Sequence, residues 1–201
     1  MTVDIRGTEV RLSFSFVFVL TLMMALCQES IVIMCVCASV MHELGHLLFM
    51  KLFAERIISI DFGAFGVRIE RRSKANLSYK KECIIALGGI IVNLVLAFPS
   101  IMYYYFMKSQ TALMFSLINL FIALFNCIPL NILDMGRALR CLLMLKYDEA
   151  RTDKKLRVLS LICVNALAAV CVLYSAFICV NPSLIAVTLY LYVITLFEKW
   201  S

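Results

Sequence analysis

At 201 residues, 63% hydrophobic and 16% charged, with a mean hydropathy of +0.96, the chain is too apolar for a soluble domain of its length. Its formal charge of +6 comes from 19 Lys and Arg against 13 Asp and Glu, gathered in a few blocks between long apolar runs. That arrangement excludes a soluble enzyme and calls for no nucleic-acid partner, because membrane topology accounts for the basic residues.

Taken in chain order, six apolar segments are long enough, or nearly so, to cross a hydrocarbon core: 12–27, 31–53, 83–107, 112–129, 156–180 and 182–197. The first is short, and no small-x-small cleavage site follows it, so a retained span is expected rather than a cleaved leader. On a six-span layout, 18 of the 19 basic residues fall on one side; only Lys108 lies on the other. The positive-inside rule makes that side cytoplasmic, with both termini there and the bacterial cell membrane as the expected location. The nine cysteines lie mostly within or beside apolar spans, with no Cys-x-x-Cys pair, and read as small packing residues. The expected fold is a single all-α polytopic membrane domain over 1–201.

Two interruptions break the helical pattern. In 57–71, Ile58, Ile60 and Phe62 alternate, Gly63-Ala64-Phe65-Gly66 makes a turn, and Val67 and Ile69 alternate again. A short membrane-associated β-hairpin is expected, either offering an edge to an extended peptide or simply tying two spans together. In 126–137, Pro129 stops the fourth helix, and Asn126, Asn131 and Asp134 flank the break. Broken backbone of this kind lines a protein-enclosed cavity, or else the span ends there and Asp134 starts a cytoplasmic helix.

The only two histidines lie in one run, His42-Glu43-Leu44-Gly45-His46, inside the second apolar segment. Residues four apart on a helix share a face, so both imidazoles can reach one metal ion, and Glu43 is placed to take a proton from an activated water. A catalytic zinc takes three protein ligands, so the third here must be a carboxylate or a cysteine. Glu9, Glu29, Glu82, Glu149 and Glu198 sit at span ends or in loops, whereas Asp134 directly follows the proline-broken segment. Ligation by Asp134 is favoured; the alternatives are that it caps a helix or pairs with Arg137.

These residues resemble the site-2 protease family of intramembrane metalloproteases. The likeness rests on the His42–His46 box, on Asn126-x-x-Pro129 with Leu133-Asp134-x-Gly136-Arg137 two spans later, and on Gly88-Gly89 followed by Asn93. It covers roughly 31–137, and the layout looks most like the branch of the stage IV sporulation FB protein, which clips a membrane-tethered pro-sigma factor. Three features depart from the pattern: Met135 stands where the family has glycine, Asn131 and Ile132 replace turn prolines, and no PDZ or CBS domain is present. The resemblance implies one Zn2+ per chain on His42, His46 and Asp134, with Glu43 as general base. It puts Asn93 near the substrate, as an oxyanion donor or a clamp, or leaves it an interhelical hydrogen bond. Asn126 and Pro129 would shape the broken helix beside the substrate. The implied partners are a single-span or membrane-tethered protein substrate, the lipid bilayer and membrane regulators.

His46 precedes Phe53 by seven residues, so the zinc is expected about 10–15 Å from the cytoplasmic surface, with cleavage near that end of a substrate helix. Two other functions compete: a catalytically silent client-binding relative, and a metal transporter. A transporter would want several sites along a path and often an internal repeat, and neither is seen.

Overall fold

The computed structural model describes residues 2–5, 8–54, 57–63, 66–71, 78–178 and 180–197. Close contacts divide the chain into two units, Met1–Phe125 and Asn126–Ser201.

The first unit opens with strands β1 (Thr2–Ile5) and β2 (Thr8–Leu12), followed by helices α1 (Phe14–Leu26) and α2 (Glu29–Leu52). Strands β3 (Ile57–Gly63) and β4 (Gly66–Arg71) come next, then α3 (Tyr79–Met107) and α4 (Gln110–Asn126). The sheet order is β1-β2-β3-β4. β3 and β4 pair antiparallel with Ile60 opposite Ile69, while β2 runs parallel to β3 with Val10 opposite Ile60. Parallel strands need a long crossover, and α1 and α2 provide it. The hairpin expected over 57–71 thus has its two strands paired, within a larger sheet; residues 64–65 of its turn lie outside the described residues.

The N-terminal strands were not expected. The first apolar segment starts as strand β2, which ends at Leu12, so α1 has only 13 residues. At about 1.5 Å per residue it is about 20 Å long, short of a hydrocarbon core of about 30 Å. Among the described residues, three helices are long and apolar enough to span a membrane: α2 with 24 residues, α3 with 29, and α6 (Glu149–Phe177) with 29. The remaining apolar helices, Val17–Leu26, α4 and α7 (Pro182–Phe197), are shorter. The outward faces of α3 and α6 carry large apolar side chains such as Val95, Phe98, Ile162 and Val170. Helices with so little polar surface are solvated by hydrocarbon, and the protein is an integral membrane protein.

Glycines let α2 and α3 approach closely. A Cβ on Gly45 would sit 2.5 Å from the Gly88 carbonyl oxygen, and one on Gly88 would sit 2.8 Å from that of Gly45. Small residues at such a seam let dispersion contacts and backbone approach replace the hydrophobic drive that lipid cannot supply. Around it, Val32, Ala38, Met50, Ile85, Ala86 and Ile90 form the unit's core.

The second unit begins with the break. α4 stops at Asn126 and α5 (Asp134–Met144) starts eight residues later, so the helix is interrupted around Pro129 as expected. Tight turns bridge the gap: the Leu130 amide donates to the Ile128 carbonyl at 2.8 Å, and that of Leu133 to the Leu130 carbonyl at 2.9 Å. The Ser160 hydroxyl of α6 donates to the Pro129 carbonyl at 3.1 Å, satisfying a group the break has freed. Leu130, Leu133, Ala138, Leu156, Val164, Cys171 and Leu191 are buried apolar residues of this unit.

Candidate metal centre

His42 and His46 stand one turn apart on the buried face of α2, with exposures of 6% and 5%. Their ring centroids are 5.0 Å apart and the planes lie at 84°. Nδ1 of His46 is 2.8 Å from the carbonyl oxygen of Ile85 on α3. A carbonyl only accepts, so Nδ1 carries the proton and Nε2 keeps its lone pair for a metal.

Gly89 shows where those lone pairs meet. A Cβ built there would lie 2.6 Å from Nε2 of His42 and 2.6 Å from Nε2 of His46. Both ligating nitrogens therefore converge on space that only a glycine of α3 leaves open. Two imidazole nitrogens converging beside a side-chain-free position fit a zinc or similar cation. Glu43, next to His42, is half-buried and off the shared histidine face, while Leu44 points outward.

Asn93 lies one turn beyond Gly89 on α3, fully buried, and neither amide atom has a hydrogen-bond partner. The simple alternative, an interhelical hydrogen bond, is not made. A buried amide left in this state costs about 1–3 kcal/mol, which marks it as held for something other than packing.

In the second unit, Asp134 is the first residue of α5 and is 6% exposed. Leu133 occupies the N-cap position, so capping by Asp134 does not occur. Arg137 Nη1 is 3.9 Å from Asp134 Oδ1, a long ion pair to a half-exposed guanidinium. Gly136 explains the Asp-x-Gly spacing: a Cβ there would collide with the Leu130 carbonyl, so α5 can start directly under the break only with glycine. Met135 is half-buried. Asn126 ends α4 and Pro129 sits in the break, both half-buried.

Three supporting groups beside the candidate residues were not expected from the sequence. These are the Ile85 carbonyl that orients His46, the empty position at Gly89, and the Ser160 hydroxyl behind Pro129. A carbonyl leaves no trace in a sequence; the Gly88-Gly89 pair was the one available signal.

Fold and side chains together define a helical membrane protein with a buried histidine pair. No family model matches the sequence, and no curated protein matches it. Among solved structures, a Site-2 Protease from Methanocaldococcus jannaschii superposes with a TM-score of 0.68 at 22% identity, covering 97% of this chain and 93% of that one. At that identity the likeness is one of fold, extending over nearly the full length of both chains.

Proposed function

We propose that the protein is an intramembrane zinc endopeptidase of the site-2 protease type. It would hydrolyse a peptide bond in or near the transmembrane segment of a membrane-tethered client, such as a pro-sigma or anti-sigma factor. The observation that carries this is the buried histidine pair of α2, whose two Nε2 atoms converge beside Gly89. The fold shared with the archaeal protein supports it independently.

His42 and His46 would hold the ion through Nε2, with Asp134 contributing a carboxylate oxygen. Zinc bound there supplies Lewis acidity, bringing a water's pKa to about 7 and polarising a carbonyl. Glu43 accepts the proton from the attacking water and returns it to the departing amine. His46 is held in the correct tautomer by the Ile85 carbonyl, and its ring does not reorient during turnover. The unpartnered amide of Asn93 donates to the substrate's carbonyl oxygen or backbone. Asn126 and Pro129 keep the backbone open beside the extended substrate, because a helical client must unwind before its peptide bond is accessible.

With this function go a six-span layout as a single domain over 1–201, both termini in the cytoplasm, and the bacterial cell membrane as location. A silent client-binding relative or a metal transporter would tolerate loss of the base. The test is cleavage of a tagged single-span pro-sigma-like substrate by wild type and Glu43→Gln in detergent. Cutting should fall by about 10²–10⁴-fold in the variant. Equal cutting by both proteins would reject Glu43 as the base and this mechanism with it.

A further inference from the structure

Helix α6 is longer than a membrane span requires. Its 29 residues reach about 43 Å at about 1.5 Å per residue, against a hydrocarbon core of about 30 Å. The surplus is not shared between the two ends. Residues 158–177 contain no charged side chain, whereas 149–157 contain Glu149, Arg151, Asp153, Lys154, Lys155 and Arg157. The boundary between charged and apolar sequence therefore falls between Arg157 and Val158.

The acidic groups of this end are already engaged. Arg140 of α5 reaches Asp153 at 3.1 Å and Glu149 at 3.2 Å, and Arg151 pairs with Asp148 at 3.2 Å. Lys146, Lys154, Lys155 and Arg157 are exposed and make no ion pair among the described residues. With the neighbouring acids engaged, an anion outside the protein is the natural counter-charge for these four cations.

Apolar side chains lie directly below them. Lys154 is one turn above Val158, which is one turn above Ile162, with exposures of 52% and 60% for the two apolar residues. Lys155 is one turn above Leu159, and its ammonium sits 3.3 Å from the centre of the Tyr147 ring. Nearby, Leu142 and Leu145 at the end of α5 are also exposed. Cations over an apolar stripe match a molecule with an anionic head and a hydrocarbon tail in the same order.

We infer that the α5–α6 corner, with Lys146, Lys154, Lys155 and Arg157, is a binding site for anionic phospholipid, the headgroup on the cations and an acyl chain along Val158 and Ile162. It rests on α6 spanning the membrane and not on the protease chemistry. Each basic residue near an anionic surface adds about fivefold to binding at moderate salt.

The test uses the full chain in phosphatidylcholine bilayers containing trace spin-labelled phosphatidylglycerol or phosphatidylcholine. Electron paramagnetic resonance gives the fraction of each label immobilised at the protein. Wild type should prefer phosphatidylglycerol several-fold at low salt, with the preference falling as salt rises. The Lys154→Gln/Arg157→Gln double variant should lose most of that preference, while immobilising as much phosphatidylcholine as wild type. Equal immobilisation of both labels by wild type, or a preference that the double variant retains in full, would overturn the site.

Discussion

Replacing one hydrogen of Gly89 by a methyl group would put carbon 2.6 Å from Nε2 of both His42 and His46. Relief by moving α3 away would open the close seam that Gly45 and Gly88 make between the two backbones. Gly89→Ala should therefore push the imidazoles off their shared point and weaken zinc binding by on the order of 10–100-fold or more, read by metal content after dialysis. Zinc retained at the wild-type level would show that the nitrogens do not ligate from this position. The histidines themselves were legible in the sequence, since a spacing of four fixes a common helical face without reference to any other part of the chain. The role of Gly89 was not, because it depends on how closely a helix 40 residues further on packs against that face.

Helix α5 owes its starting point to Gly136, whose missing Cβ lets the first turn lie against the Leu130 carbonyl. Gly136→Ala should cost about 1–3 kcal/mol by overpacking, seen as a lower Tm in detergent, and should displace Asp134 with it. Met135→Gly should leave zinc content unchanged and cost up to about 1 kcal/mol in helix propensity. A larger zinc loss from Met135→Gly than from Gly136→Ala would contradict this account of the break. Ser160→Ala should cost about 1 kcal/mol, by leaving the Pro129 carbonyl without its donor. Proline made the break around 129 legible, since its effect is local. The strands β1 and β2 were hidden for the opposite reason. Each is five residues or fewer, and β2 runs into an apolar helix, so only pairing with β3 reveals it.

For the molecule as a whole, composition carried most of the architecture: apolar runs of span length, divided by basic blocks, specify a helical membrane protein wherever they occur. Span number was harder to read, because among the described residues only α2, α3 and α6 have the full length of a span. The position of the histidines along α2 sets where the chemistry can occur. His46 lies six residues before the end of α2 at Leu52, about 9 Å along the axis. A substrate whose scissile bond is moved to the opposite end of its transmembrane segment should go uncut. Undiminished cutting there would remove the depth argument.

In the proposed function, two imidazoles and one carboxylate hold a single zinc ion inside the membrane. X-ray absorption at the zinc edge on the purified full chain, with metal counted per chain for wild type and Asp134→Ala, tests it directly. One zinc per wild-type chain is expected, with nitrogen and oxygen neighbours at about 2.0–2.2 Å, no sulfur, and two imidazole scattering patterns. Asp134→Ala should lose most of the metal. A wild type without zinc, a sulfur ligand, or an unaltered zinc environment in Asp134→Ala would contradict the account.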